Sequence, residues 1–263
     1  MDFAGAFKGK RVVVTGAAGI YGGWIAAAFA REGARLCLSD LRRDKLDGVV
    51  ARLGLDPAAT LLHGTDLTDG GSIRDLALLV AAEWGAPDIV VNNAGVYPRT
   101  GELINLAEAE FDRIMNVNVR APFLVTKHMA RLMIDAKVEG AFVNIGSGAA
   151  RQMPTGSVTY CMSKTALERL SKGQALELAP HRIRVNVVEP GFAPGSDFSL
   201  LPPDYVERMT ARIPLGRNSA PDDAAMMVLY LCSPAASYIT GAVVSVDGGN
   251  SIGTYQPAAP AKG

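Results

Sequence analysis

Short runs of apolar and β-branched residues alternate along the chain with longer segments whose apolar residues recur at helical spacing. The short runs predict strands at Lys10–Val14, Arg35–Ser39, Thr60–His63, Asp88–Val91, Ala141–Ile145, Ile183–Val187 and Ala242–Val246. The longer segments predict helices at Gly22–Gly33, Arg42–Leu53, Gly70–Trp84, Ala107–Ala136, Ser157–Ala179, Pro202–Ala211 and Pro221–Leu231. Because strands alternate with helices and most strands are continuously apolar, the pattern is typical of a parallel sheet covered on both faces.

The chain contains no Pro/Gly/Ser-rich linker and no internal repeat that would divide it. We therefore predict a single doubly wound α/β domain over residues 1–253. Residues 254–263 form a Pro/Ala-rich tail, which we expect to be mobile at its end.

Composition narrows the classes of partner. Of the 263 residues 49% are hydrophobic, which predicts a sizeable core, and the formal net charge of zero argues against a nucleic-acid partner. No apolar run reaches membrane-spanning length, and the first residues lack the order of a signal peptide. The three cysteines and three histidines are scattered, which predicts a cytoplasmic protein without disulfides or a metal site.

A glycine-rich turn, Thr15–Gly22, joins the first predicted strand to the first predicted helix. Glycines at such a turn let the backbone approach a pyrophosphate, and the helix N-terminus offers unpaired N–H groups to that anion. Asp40 closes the second strand, where a carboxylate accepts hydrogen bonds from ribose hydroxyls and repels a 2′-phosphate. The turn and Asp40 predict NAD as the cofactor, with NADP less favoured.

Three residues that follow the second and third predicted strands could each have more than one role. Arg42 and Arg43 follow Asp40 and could accept a phosphate, although a solvated first helical turn is the more usual role of such arginines. Asp66, after the third strand, could hold the adenine amino group or equally cap the next helix.

Tyr160 and Lys164 lie four residues apart in a predicted helix, so they share one face with Cβ atoms about 5–6 Å apart. A cation beside a phenol favours phenolate and lowers the pKa of the tyrosine from about 10 toward working pH. A shift of roughly three units needs about 4 kcal/mol, which requires that the pair be partly desolvated. Taken alone, a tyrosine and a lysine at this spacing are more often a solvated pair on a helix surface.

The chain resembles the short-chain dehydrogenase/reductase family over residues 9 to 250. The motifs that carry the resemblance are Thr15–Gly22, Asp66 with Leu67, Asn92-Asn93-Ala94-Gly95, Asn118, Ser147, Tyr160 with Lys164, Asn186, Pro190 with Gly191, Tyr238–Gly241 and Val246–Gly249. The resemblance implies the compact branch of the family, with a seven-stranded parallel sheet in a Rossmann fold and a substrate loop near residues 192–213.

The resemblance also implies a catalytic set of Asn118, Ser147, Tyr160 and Lys164. Tyr160 would be the general acid/base, and Lys164 would lower its pKa and hold the nicotinamide ribose. Ser147 would hydrogen-bond the substrate oxygen, and Asn118 would hold a water that relays protons. The chemistry is consistent, since hydride transfer places charge on an oxygen that two hydrogen-bond donors can stabilise.

The implied cofactor-binding residues lie at the ends of several strands. They are Gly16, Gly19, Ile20, Tyr21, Gly22, Asp40, Asp66, Leu67, Asn93, Ala94, Gly95, Tyr160, Lys164, Pro190, Gly191 and Ala193. The segment Asn92–Gly95 is expected to shape the sheet edge under the adenosine rather than to touch substrate.

The sequence departs from the family pattern at two points. Ile20 stands where the compact branch usually has glycine, which puts the approach to the pyrophosphate in question. Gly195, followed by Ser196, stands where a threonine commonly meets the nicotinamide amide. Residues 192–201 are interpreted as a mobile flap that closes on substrate, with an irregular surface loop as the alternative.

The predicted substrate-binding residues are Ser147, Gln152, Met153, Tyr160 and Phe192, and further candidates are Tyr97, Arg99, Phe198 and Met209. Most of the candidate pocket side chains are apolar, which favours a cyclic or medium-sized secondary alcohol or ketone. Arg99 or Arg151 could pair with an acidic substituent, although such loop arginines are usually solvated.

The leading interpretation is an NAD-dependent oxidoreductase that acts on a secondary alcohol or ketone. One alternative is an NADPH-dependent 3-oxoacyl thioester reductase, against which Asp40 argues. The other is a non-catalytic nucleotide-binding regulator, against which the intact set of Ser147, Tyr160 and Lys164 argues. By resemblance we expect a homotetramer, or a homodimer, assembled through the long helices within 107–136 and 157–179 and through the last strand.

Overall fold

The computed structural model describes residues 3, 5–97, 101–195 and 201–255. Its strands are β1 (Arg11–Thr15), β2 (Arg35–Asp40), β3 (Leu61–Gly64), β4 (Ile89–Asn92), β5 (Ala141–Ile145), β6 (Arg184–Pro190) and β7 (Val243–Val246). All neighbouring strands pair in parallel, in the order β3-β2-β1-β4-β5-β6-β7. The prediction of a doubly wound seven-stranded parallel sheet is confirmed.

Within the described residues, eight α-helices connect and cover the strands. They are α1 (Ile20–Arg31), α2 (Arg43–Leu53), α3 (Gly70–Trp84), α4 (Glu108–Met115), α5 (Ala121–Asp135), α6 (Val158–Leu178), α7 (Pro203–Thr210) and α8 (Pro221–Cys232). The helical stretch predicted over 107–136 is helical from Glu108 to Asp135, and it contains one π-helical turn that the sequence did not predict, Asn116–Arg120, between α4 and α5. An extra residue in one turn widens the helix locally, and such turns are frequent at functional sites.

The core consists of two layers, one on each face of the sheet. On β1, Val12 and Val14 face the layer that contains α1, α2 and α8, whereas Val13 faces the layer that contains α3, α5 and α6. This alternation follows from the two-residue period of a strand. All three valines are fully buried, which explains why the strands are continuously apolar in sequence.

The strand order positions the site. The chain leaves β1 toward β2 and β3 on one side, and β4 lies on the other side of β1. The carboxyl ends of β1 and β4 therefore flank the topological switch point, where open α/β sheets bind ligands. The glycine-rich turn follows β1, and Asn93 follows β4, so both segments reach this crevice.

Two further features concern the described part of the chain. Cys37, Cys161 and Cys232 are buried and not in disulfides. None of the described helices combines the length and the apolar character that crossing a membrane requires.

Candidate active site

The glycine-rich turn packs so closely that two of its glycines are required by geometry. Gly16 has φ of +64°, and a Cβ there would lie 2.8 Å from the Ala94 Cα. A Cβ on Gly22 would lie only 2.1 Å from the Gly16 carbonyl oxygen. Side chains at these positions would force the turn away from the segment after β4.

Helix α1 begins at Ile20, and its N-cap residue Gly19 supplies no side-chain hydrogen bond to the first turn. The N–H groups at this end are thus directed to the crevice, where the helix dipole favours an anion. Ile20, at the position where glycine was expected, is partly exposed and is simply the first residue of the helix. The departure from the family pattern therefore leaves the anion-binding end of α1 intact.

Asn93 fastens the turn to the end of β4. Its Nδ2 atom donates to the Thr15 carbonyl oxygen at 2.9 Å and to the Gly16 carbonyl oxygen at 3.0 Å. The backbone N–H groups of Asn93 and Ala94 both donate to Thr15 Oγ1 at 3.2 Å. These bonds join the two segments at the switch point, so the role of Asn93 in this structure is to shape the sheet edge.

Asp40 ends β2 beside the turn. Its Oδ2 atom accepts a hydrogen bond from the Ala18 N–H at 3.1 Å, and Oδ1 accepts one from the Arg42 N–H at 3.1 Å. The carboxylate is thus held where a ribose bound across the turn would meet it. Arg43 forms an exposed ion pair with Asp47 at 2.9 Å, consistent with a solvated first turn of α2.

Asp66 does not cap α3, so that alternative is wrong. The cap is Asp69, whose carboxylate accepts hydrogen bonds from the N–H groups of Gly71 and Ser72. Asp66 is exposed after β3, and its Oδ1 atom accepts from both the N–H and the hydroxyl of Thr68. The Asp66 side chain is thus held by a local turn after β3, and its contact with adenine remains a prediction.

Tyr160 and Lys164 lie one turn apart on α6, as predicted. Lys164 is only 4% exposed, and its Nζ atom donates to the Ile145 carbonyl oxygen at 2.9 Å. Nζ lies 5.8 Å from the centroid of the Tyr160 ring. Burial lowers the pKa of Lys164 to about 8, against a smaller opposing effect of Glu189. The alternative of a solvated pair on a helix surface is therefore excluded for this lysine.

The hydroxyl of Ser147 lies close enough to that of Tyr160 to influence its pKa. Burial raises the pKa of Tyr160 to about 12, and the nearby Ser147 hydroxyl lowers it by a smaller amount. The spacing of Tyr160 and Lys164 predicted a lowered pKa for the tyrosine. This prediction is wrong, because the pKa of Tyr160 is raised. Desolvation of the hydroxyl outweighs the influence of Ser147, and the neighbouring Tyr97 and Cys161 act in the same direction as desolvation, so Tyr160 holds its proton.

Ser147 follows β5 and its hydroxyl accepts a hydrogen bond from the Ala149 N–H at 3.2 Å. The hydrogen bond from Ala149 fixes the Ser147 side chain where β5 ends, facing α6. The Tyr97 ring stands edge-on to Tyr160, with centroids 4.5 Å apart. Two hydroxyl groups, those of Ser147 and Tyr160, thus converge beside an aromatic wall.

Asn118 lies in the π-helical turn and is buried. Its Nδ2 atom donates to the Val96 carbonyl oxygen and to Ser163 Oγ, both at 3.0 Å, and its Oδ1 atom accepts from the Val96 N–H at 2.9 Å. A Cβ on Gly95 would lie 3.4 Å from both Asn118 Oδ1 and Lys164 Nζ. The side chain thus joins the segment after β4 to α6, and its binding of a relay water remains a prediction.

The predicted substrate residues surround the same end of the sheet. Gln152 donates from Nε2 to the Asn250 carbonyl oxygen at 3.0 Å, which ties the segment after Ser147 to the segment after β7. Met153 is exposed, and Phe192 packs edge-on against Tyr205 with centroids 6.3 Å apart. Met209 lies on α7. Arg99 lies outside the described residues, and so do residues 196–200 of the predicted flap, which include Ser196 and Phe198. The tail from 256 onward also lies outside them.

Arg151 is solvent-exposed, as expected of a loop arginine, but its guanidinium is paired within the protein, so the pairing with a substrate substituent is not favoured. Its guanidinium pairs with the fully buried carboxylate of Glu189 and lies 3.9 Å from Glu168. Burial, with the neighbouring Glu189, raises the pKa of Glu168 to about 6. Arg151 thus holds the end of β6 against the segment that carries Ser147.

The contacts between distant segments were not indicated by any pattern in the sequence. Gly191, after β6, donates its N–H to the Val246 carbonyl oxygen at 2.9 Å and accepts from the Tyr21 hydroxyl at 2.8 Å. Tyr21 and Gly191 are 170 positions apart. The same holds for Arg151 and Glu189, 38 positions apart. Residue type alone indicates neither partner.

The residues fit a dinucleotide. Two glycines pack the turn closely, the N-terminus of α1 is open to an anion, Asp40 lies beside it, and Lys164 with Tyr160 occupies the far side of the switch point. A Rossmann sheet with a phenol, a hydroxyl and a buried ammonium at its carboxyl edge defines a nucleotide-binding oxidoreductase.

Comparison with known proteins agrees with this class. Residues 16–251 match the family described as Enoyl-(Acyl carrier protein) reductase. A galactitol 2-dehydrogenase (L-tagatose-forming) of Cereibacter sphaeroides is 35% identical over 260 residues, covering 96% of this chain and 100% of the relative. A short-chain type dehydrogenase/reductase of Mycobacterium marinum superposes with a TM-score of 0.87 at 33% identity, covering 94% and 97% of the two chains. A 3-ketoacyl-(acyl-carrier-protein) reductase of Brucella melitensis complexed with NADH superposes with a TM-score of 0.83 at 30% identity, covering 93% and 99%.

The chain belongs to the short-chain dehydrogenase/reductase family. It is an oxidoreductase that transfers hydride between a nicotinamide nucleotide and an alcohol or ketone.

Proposed function

We propose that the protein is an NAD-dependent dehydrogenase of secondary alcohols, or the corresponding ketone reductase, with Tyr160 as its acid/base. The observation that carries the proposal is the placement of the Ser147 hydroxyl near that of Tyr160, one helical turn from a lysine buried at 4% exposure. Burying an ammonium group costs free energy, and ionisable groups perturbed in this way are concentrated at functional sites.

The protein residues divide the work at the substrate oxygen. Tyr160 keeps its proton and donates it to the oxygen of a ketone, while Ser147 offers a second hydrogen bond to the same oxygen. Lys164 places a positive charge next to the phenol and is the group that would hold the nicotinamide ribose. NAD, when bound, supplies the hydride acceptor, and NADH the hydride donor. For alcohol oxidation the same groups act in reverse.

Asp40 is the residue that supports NAD over NADP. Its carboxylate is fixed by hydrogen bonds from Ala18 and Arg42 at the end of β2, and a phosphate at the ribose 2′ position would meet this negative charge. Asp66 and Leu67 complete the adenosine side, and Pro190, Gly191 and Ala193 complete the nicotinamide side.

Isothermal titration tests the preference. We expect NAD to bind at least tenfold more tightly than NADP, and Asp40→Ala to narrow this ratio at least fivefold because the repulsion is removed. Asp47→Ala is the matched control, since it removes an exposed carboxylate of α2 that pairs with Arg43. Tighter binding of NADP to the unmodified protein would overturn the assignment.

A second candidate substrate class is a 3-oxoacyl thioester. It is favoured by the likeness to the Brucella melitensis 3-ketoacyl reductase and by the exposed apolar side chains of Tyr97 and Met153 beside the site. A side-by-side assay with acetoacetyl thioesters and cyclic secondary alcohols separates the two. Faster turnover of the thioester with NADPH than of any alcohol with NAD favours the second candidate.

We further propose a homotetramer. Strand β7 forms one edge of the sheet, and Phe123 on α5 and Leu176 on α6 expose large apolar side chains on the long helices. Open strand edges and exposed apolar faces favour self-association with closed symmetry. Light scattering after size exclusion should give four times the chain mass of 27.6 kDa. A mass of one chain would contradict the proposal, and Leu176→Glu should shift the mass downward.

A further inference from the structure

The hydroxyl of Tyr21 joins two segments that both reach the switch-point crevice. Tyr21 is the second residue of α1, and its hydroxyl donates to the Gly191 carbonyl oxygen at 2.8 Å. Gly191 is held on its other side by the hydrogen bond from its N–H to Val246. The end of β6 is therefore fixed between the last strand and the helix whose N-terminus faces the predicted anion.

The Tyr21 side chain is suited to act as a rigid link. Its ring packs against the first core layer and stands edge-on to Trp24, with centroids 5.2 Å apart. Burial raises the pKa of Tyr21 to about 12, so the hydroxyl stays protonated and remains a donor. A tyrosine loses few rotatable bonds when held in this way.

Ser219, just before α8, lies at the same place. Its hydroxyl is close enough to lower the pKa of Tyr21, although burial outweighs this effect. Its backbone N–H donates to the Phe192 carbonyl oxygen at 2.8 Å. This bond joins the segment after Gly191 to the start of α8. Tyr21 is thus in contact with the residues that fix the position of the segment following β6.

We propose that Tyr21 is a positioning residue for the nicotinamide nucleotide, which sets the distance between the N-terminus of α1 and the Pro190–Gly191 segment. This inference rests on the proposed function, in which both segments bind the nucleotide. A fixed spacing means that the nucleotide meets its two contacts already placed, and binding does not have to order them. Tyr21 does not touch the reacting atoms and acts through Gly191.

Tyr21→Phe tests the proposal because it keeps the ring and its packing against Trp24 and removes only the hydroxyl. We expect the Kd of the preferred nucleotide, measured by isothermal titration, to rise three- to tenfold. KM for the nucleotide should rise by a similar factor, while kcat with a secondary alcohol stays within twofold. The melting temperature without nucleotide should stay within about 3 °C of wild type, which is within the effect of one partly exposed hydrogen bond.

Tyr230→Phe is the matched control, since it removes a partly buried hydroxyl at the other end of α8, next to the Leu231 carbonyl that meets Arg184. Nucleotide binding by this variant should equal that of wild type. A Kd for Tyr21→Phe within 1.5-fold of wild type overturns the inference, and so does a loss of kcat that exceeds the rise in KM. Both nucleotides are titrated, so that a wild-type preference for NADP overturns the NAD assignment while the effect of Tyr21 is still read on the tighter ligand. Absence of binding of either nucleotide overturns both.

Discussion

Replacement of Lys164 by methionine should lower kcat/KM at least hundredfold without loss of stability. Lys164 is the buried ammonium beside Tyr160, and methionine has a similar length without the charge. The variant loses the positive charge that stabilises the developing negative charge at the substrate oxygen, and the group predicted to hold the ribose. Steady-state assays with the preferred nucleotide measure this loss.

Stability is expected to respond in the opposite direction. The pKa of Lys164 is lowered from 10.5 to about 8, which corresponds to a cost of roughly 3 kcal/mol for keeping the ammonium buried. Methionine removes this cost and loses the hydrogen bond to Ile145, worth about 1 kcal/mol. Urea unfolding at pH 7 should therefore give Lys164→Met a free energy of unfolding at least equal to that of wild type.

The lowered pKa of Lys164 also sets the direction in which folding stability changes with pH. Below pH 8 the ammonium is charged in both the folded and the unfolded chain, so the folded state bears the full cost. Between about pH 8 and 10.5 the folded chain releases the proton first and the cost disappears. Wild type should gain stability across this window relative to Lys164→Met, and its kcat/KM for ketone reduction should fall as pH rises through about 8.

Lys172→Met is the control for Lys164→Met, since Lys172 is an exposed lysine on the same helix. It should alter neither kcat/KM nor the pH profile. A loss of less than threefold for Lys164→Met, or marked destabilisation of that variant at pH 7, would contradict the role given to the buried charge.

Tyr160→Phe should lower kcat at least hundredfold and leave the Kd of the nucleotide within about threefold of wild type. General acid/base catalysis by a positioned side chain contributes about 10²–10⁴ in rate. Phenylalanine preserves the ring that packs against Tyr97 and removes the hydroxyl that lies near Ser147. Steady-state turnover and nucleotide titration on the same preparation separate loss of catalysis from loss of binding.

Tyr97→Phe is the matched control for Tyr160→Phe. It removes the hydroxyl of the neighbouring ring, whose centroid lies 4.5 Å from that of Tyr160, and leaves the ring itself in place. This variant should keep at least a third of wild-type kcat. Equal losses in the two variants would mean that neither hydroxyl is the specific proton donor.

The sequence predicted the layers of the fold because burial on both faces makes a strand continuously apolar. Helix α3 and strand β5 have the predicted bounds, Gly70–Trp84 and Ala141–Ile145. Strand β6 extends to Pro190, three residues beyond the prediction. The extension includes Glu189, whose buried carboxylate is paired with Arg151 from another segment.

The π-helical turn within the long helical stretch was not predicted, for a local reason. Residues Asn116–Arg120 have no glycine or proline, and nothing in their composition indicates the extra residue of a π turn. The turn is accompanied by tertiary contacts of Asn118 with Val96 and Ser163, which lie on other elements. Such contacts follow from the fold and cannot be read from the helix itself.

The candidate site was predictable in its members and not in its electrostatics. The four-residue spacing of Tyr160 and Lys164 fixed their common face, but it contained no information on how deeply either group is buried. Burial decides the direction of both pKa shifts, upward for Tyr160 and downward for Lys164. The link between Tyr21 and Gly191 depends on the packing of α1 beside β6, which only the structure provides.

The central claim is that the Tyr160 hydroxyl supplies the proton that accompanies hydride transfer. The most direct test is a single-turnover experiment in which wild type and Tyr160→Phe, each saturated with the reduced nucleotide, are mixed rapidly with a ketone that wild type reduces. Absorbance of the reduced nicotinamide reports the transfer step without product release. The account predicts that the variant binds the nucleotide normally and transfers hydride at least a hundredfold more slowly. Transfer by the variant within threefold of the wild-type rate would contradict it.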